Sequence, residues 1–164
     1  MFAKKTYGRG AGFLPRSEYR GIFFRYIRDH RNVWMPIAKP LSELEKAYLK
    51  RFFPARIVER VRVTELVGMT GAFILNAAAT TYGNDFIIVR KGSRSLSLLK
   101  HELVHACQYD RLGGENFAYR YADQFVDGGY EYREIEFEKQ AYAFQQIPDG
   151  STPHIAVHLG YCDR

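Results

Sequence analysis

Apolar positions along the chain fall into two periods. Early on, "SEYRGIFFRYIRDHRN" sets Tyr19, Ile22, Phe23, Tyr26 and Ile27 on one helical stripe, with Arg20, Arg28 and Arg31 away from it. Ser17 is the candidate N-cap. A Pro-bounded linker, "MPIAKP", leads to a second helix from Leu41 to about Phe52, with Leu44, Tyr48 and Phe52 in register. After Pro54 the period becomes two. "VRVTEL" (Val61 to Leu66) reads as a strand, and "DFIIVR" (Asp85 to Arg90), behind the turn signal "YGN", as another. Between them "TGAFILNAAATTYG" fits a helix or a bent strand. A long helix is predicted from Ser95 to Tyr109, stopped by Gly113–Gly114, then a helix over 115–127, and a last one from Tyr132 to Gln146. The tail "TPHIAVHLGYCDR" reads as a short strand, and the glycine-rich residues 1–16 as a surface-wrapping arm.

Composition narrows the class. Hydrophobic residues make up 46% of the 164 and aromatics 15%, enough for a packed core and too many for a disordered chain. No run approaches the roughly 18 apolar residues that a membrane span needs. The start, "MFAKKTYGRGAG", has positive charge with no apolar stretch behind it, so a cleaved leader is not expected. Cys107 and Cys162, the only cysteines, read as free thiols in a reducing compartment, and cytoplasm is the expected location. The net charge of +6 is uneven: Lys4, Lys5, Arg9, Arg16, Arg20, Arg25, Arg28 and Arg31 crowd the beginning. Such a patch could meet an acidic partner; an excess this modest more often solubilises a surface, so nucleic acid is not the expected partner.

The chemistry concentrates in "SLLKHELVHACQYDRLGG". His101 and His105 are four apart, so on a helix they lie one turn above each other and can share one ion. Glu102 is turned about 100° from His101, which places it beside such an ion as a general base. Leu96, Leu99, Leu103 and Ala106 form the apolar side that buries the helix, and Cys107 falls on the side away from the histidines. Zinc would need a third protein ligand to leave one position open for water. Glu134, Glu136 and Glu138 in "YREIEFEKQAYAF" are the candidates. Glu138 is favoured because Ala141, one turn on, permits close helix approach, whereas Glu134 has Phe137 there. Glu134 remains the alternative. His30, His154 and His158 read as packing or surface residues.

The order "LSELEKAYLKRFF", "VRV", "AAATTYGNDFIIV", "LLKHELVHACQY", "FEKQAYA" resembles small bacterial gluzincin-type zinc metallopeptidase domains, many described only as domains of unknown function. The likeness spans about Leu41 to Phe144, with "HELVHACQY" its most specific part. It puts the family's ligand glutamate, with an alanine three residues later, on Glu138 and Ala141. It departs where relatives carry Asn-Pro before that glutamate and a second glutamate beside the alanine; here stand Ile135–Glu136 and Gln140. The resemblance implies an α+β, minimal zincin-like fold: a small twisted sheet on the His101–His105 helix with the Glu138 helix beneath. Residues 1–36 would form a basic arm and helix, and 37–164 the metallopeptidase domain. It further implies Zn²⁺ on His101, His105 and Glu138, Glu102 as catalytic base, and a peptide or protein substrate. Tyr121, Tyr130 and Tyr142 are candidate oxyanion donors. The strand Asp85–Arg90 is either a peptide-pairing edge or interior. Rival readings keep the zinc without peptide hydrolysis, or make the basic segment a nucleic-acid- or partner-binding module. The N-terminal segment could also lie across the cleft and limit access.

Overall fold

A computed structural model of the chain describes residues 14–67, 77–151 and 154–163, and these form an α+β architecture. In chain order come α1 (Arg16–Trp34), a 3-10 turn, β1 (Lys39–Pro40), α2 (Glu43–Leu49) and α3 (Ala55–Arg60). Then follow β2 (Arg62–Leu66), β3 (Ala79–Thr81), β4 (Phe86–Arg90), α4 (Leu96–Leu112), α5 (Gly114–Asp127), a 3-10 turn at Tyr132–Glu134, α6 (Glu136–Gln145) and α7 (Ile155–His158). The sheet runs β1-β2-β4-β3, with β2 and β4 parallel and both outer strands antiparallel to their neighbours. Strand β4 is thus interior, which explains its unbroken apolar run: Phe86 to Val89 are all buried. Alternation sends Ile87 and Val89 into one core cluster and Phe86 and Ile88 into another. Among the described residues the sheet's edges are β1 and β3, and β3 is the one beside β4.

Helix α4 is set by its ends. Ser95 Oγ accepts from Leu98 N at 3.2 Å, and Gly113, at φ 77° and ψ 156°, takes a positive-φ conformation suited to glycine that stops it. Every residue from Leu99 to Tyr109 is buried, polar ones included, so α4 is the central helix of the fold. α6 packs along it and α5 beside it, while α1 packs on α5.

Several expectations are corrected. Cys107 and Cys162 are not free thiols: they form a disulfide that ties the tail to α4. Closing a loop across a separation of 55 residues contributes about 4 kcal/mol in the chain-entropy model. The bridge removes the ground on which a reducing compartment was expected. The tail forms α7, not a strand, because its backbone turns back to hydrogen-bond Arg51 and Phe52. The last predicted helix breaks at Ile135 (φ −66°, ψ 120°), where the chain bends to bury that side chain completely. On α2, Leu44 is 85% exposed; Phe52 is buried as expected, joined by Leu41, Leu49 and Phe53, since the helix ends at Leu49 and the chain then turns inward. Residues 1–13 and the first half of "TGAFILNAAATTYG", residues 70–76, lie outside the described residues; the second half contains the strand β3.

Candidate metal centre

Three donor groups converge between α4 and the first turn of α6. His101 Nε2 and His105 Nε2 are 3.3 Å apart. Glu138 straddles them, with Oε2 3.3 Å from His101 Nε2 and Oε1 3.3 Å from His105 Nε2. A tetrahedral ion with ligands at about 2.0 to 2.1 Å separates neighbouring donors by about 3.3 to 3.4 Å, so the spacing suits a small divalent cation. All three residues are buried, at 4%, 5% and 3% exposure. Ala141, one turn on from Glu138, is fully buried where α6 meets α4. Glu134 and Glu136 are exposed, and Glu134 pairs with Lys139 at 2.9 Å. The structure therefore brings Glu138 to the histidines and leaves Glu134 outside.

Electrostatics bind the three together. Burial alone would push the Glu138 carboxyl up, but the charge of His105 and hydrogen bonds with both imidazoles hold it well below the usual carboxylate range. For His105 burial acts downward, and the Glu138 carboxylate outweighs it, raising the imidazole to about 9. Metal-free, the site is a buried imidazolium–carboxylate pair; a divalent cation would supply the positive charge in the proton's place.

A second layer holds these groups in position. Tyr121 OH donates to Glu138 Oε1 at 2.8 Å, and Tyr132 OH donates to Oε2. Burial and the nearby Glu138 charge push both phenols up, so both stay protonated donors. Gln108 Nε2 donates to Gln140 Oε1 at 2.9 Å, which leaves Gln108 Oε1 to accept from His105 Nδ1 at 2.8 Å. That arrangement holds a proton on Nδ1 and leaves Nε2 facing Glu138, donating to it in the metal-free imidazolium and free to ligate once a cation takes the place of that proton. The ring of Tyr142 stands edge-on to His101 at 4.6 Å.

Glu102 lies beside the cluster and not in it. Thr81 Oγ1 on edge strand β3 is 2.7 Å from Glu102 Oε2 and 3.1 Å from its backbone oxygen. The single hydroxyl proton goes to the nearer acceptor, Glu102 Oε2. Glu102, His105 and Glu138 share a cavity of ≈ 40 Å³, also walled by Ala79, Thr80 and Thr81 of β3, with room for water.

Of the tyrosines singled out from sequence, Tyr121 holds Glu138, Tyr142 packs on His101, and Tyr130 packs with Tyr19 and Phe125 instead. Gln108, Gln140, Thr81 and Tyr132 were missed. Gln108 had a local signal, three residues past His105 on the same face. Tyr132 and Gln140 stand near Glu138 in the chain but at spacings that mark no shared helical face, and Thr81 comes from a distant strand. Cys107 is buried in the core, His154 and His158 are exposed at the far end of the chain, and His30 stacks on Tyr82. No protein-family model, curated protein or solved structure matches the chain. No described helix is long and apolar enough to cross a membrane.

Proposed function

We propose that the chain is a zinc-dependent metallopeptidase of the gluzincin type. The observation that carries this reading is the buried His101–His105–Glu138 group with 3.3 Å donor spacing, and Glu102 placed alongside without joining it. Two imidazoles and a carboxylate are a zinc donor set that leaves a fourth position open. Bound there, zinc would polarise a substrate carbonyl and lower the pKa of water to about 7.

The chain's own residues supply the rest. Glu102, held by Thr81, would accept a proton from the attacking water and pass it to the leaving amine. Gln108 keeps His105 in the ligating tautomer, and Tyr121 and Tyr132 keep Glu138 pointed at both rings. Edge strand β3, which lines the cavity, would pair its backbone with an extended peptide. The basic N-terminal region is a weaker candidate for nucleic acid, because Arg16, Arg20 and Arg31 are engaged by Asp127, Asp123 and Asp85.

The test is metal content by inductively coupled plasma mass spectrometry, followed by turnover of a mixed peptide library. One zinc per chain, lost in His101→Ala, together with cleavage that vanishes in Glu102→Gln while zinc is retained, is the expected result. Zinc bound without turnover would favour the alternative, a metal domain that does not hydrolyse peptides, for which the small size of the cavity speaks. No metal in either protein would end both readings.

A further inference from the structure

The cavity beside Glu102, His105 and Glu138 is roofed by an element that carries none of them. Phe23, Tyr26 and Ile27 of α1 line it, and at ≈ 40 Å³ it holds water-sized groups and no amino-acid side chain. Next to it lies a pocket of ≈ 330 Å³ between α1, the β3–β4 turn and the end of α4. Ile27 and Tyr109 line both, so these two side chains form the partition. Tyr109 is anchored on α4, stacked on Phe117 at 3.7 Å. Ile27 goes wherever α1 goes.

Helix α1 is fastened at its rim. Arg20 donates to both Asp123 oxygens at 2.8 and 2.6 Å, Arg31 to both Asp85 oxygens at 2.5 and 3.0 Å, and Arg16 pairs with Asp127. Of its 19 residues only Phe23 and Ile27 are buried. Phe23 stacks at 4.7 Å on Tyr121, whose hydroxyl holds Glu138, so the helix rests on the site's own support. Ion pairs between partly exposed side chains are weak, and an element with few buried residues opens before the rest of the fold.

We propose that α1 is a displaceable lid. Closed, as here, it limits the centre to water; moved aside, it takes Ile27 with it and merges the two pockets into a cleft that admits an extended chain to His101, His105 and Glu138. The lid's meaning for function rests on the metal-centre reading, but its movement does not.

Diethyl pyrocarbonate labelling of the metal-free protein, resolved by residue with mass spectrometry, tests the movement. The exposed His154 and His158 serve as internal standards. In Arg20→Gln/Arg31→Gln, labelling of His105 should rise about tenfold at unchanged circular dichroism, as expected for losing two such pairs. Arg20→Asp should show part of that rise, and Arg20→Asp/Asp123→Arg should reverse it, which a merely unfolded variant would not do. Equal His105 labelling in wild type and all latch variants would overturn the lid. On zinc-loaded protein, the time for a chelator to strip the metal should shorten by the same factor. Faster labelling in a protein that never takes up zinc would leave the lid standing and remove the metal centre.

Discussion

On one side of β4, Ile87 and Val89 meet Leu49, Phe52, Phe53, Ile57, Leu99 and Leu103 in a cluster whose fully buried members include no tyrosine. On the other, Phe86 and Ile88 meet Phe23, Tyr82, Tyr109, Tyr121 and Phe125. The first cluster asks only for volume and shape, and burial stabilises it without directional contacts. The second carries hydroxyls that are costly to bury unless partnered. Tyr121 answers with Glu138, and Tyr82 with Tyr26 at 3.2 Å. Tyr109 OH has no partner among the described residues and sits on the cavity wall. The difference teaches a division of labour: the dry cluster, tied down by Cys107–Cys162, fixes α4, and the tyrosine-bearing side supplies the polar geometry.

Perturbing each side should separate the two roles. The largest effect is expected from Phe144→Ala in the dry cluster, a loss of about 3 to 5 kcal/mol in urea unfolding. Metal stoichiometry should not change, and if it did the two sides would be less independent than described. Next comes the ion itself: zinc at a hundredfold excess over its Kd should stabilise wild type by about 2.7 kcal/mol in the same assay, and not stabilise Glu138→Ala. Tyr121→Phe, on the other side, should lower zinc affinity by about ten- to a hundredfold in competition with a chromophoric chelator, while unfolding shifts by only about 1 kcal/mol.

The smallest effect belongs to neither cluster. Asp110 on α4 receives Arg56 and Arg60 of α3. Burial would raise its carboxyl, but those two guanidiniums hold it below the ordinary value. A carboxyl depressed in the folded state stabilises above its unfolded pKa and loses that contribution as pH falls. Wild type should therefore exceed Asp110→Asn by no more than about 1 kcal/mol near neutrality, with the gap closing below about pH 4 in thermal melts. A gap that widened toward acid would contradict the pairing.

Local signals carried the elements that contain their own reasons. The start of α4 near Ser95, the Gly113 stop and the four-residue spacing of His101 and His105 are all legible within one helix, and so was Glu102 beside them. The choice of Glu138 over Glu134 was legible in part, through the small Ala141. The bend at Ile135 then points Glu138 toward the histidines and leaves Glu134 against Lys139. Leu44 misled because periodicity marks a face without saying which face is covered. The cysteines misled for a related reason, since a separation of 55 residues says nothing about whether two sulfurs meet.

By itself, then, the sequence determined the α4 helix, its histidine pair with the adjoining Glu102, and the α+β character announced by the alternating run that became β2. Tertiary structure alone decided that Thr81 holds Glu102, that Tyr121 and Tyr132 hold Glu138, that β4 is interior with β3 at an edge beside it, and that α1 covers the cavity. Helix caps and one-turn spacings are short-range and repeat whenever the residues repeat. Partners brought from other elements depend on how every intervening turn closes, and no local pattern of residues encodes that sum.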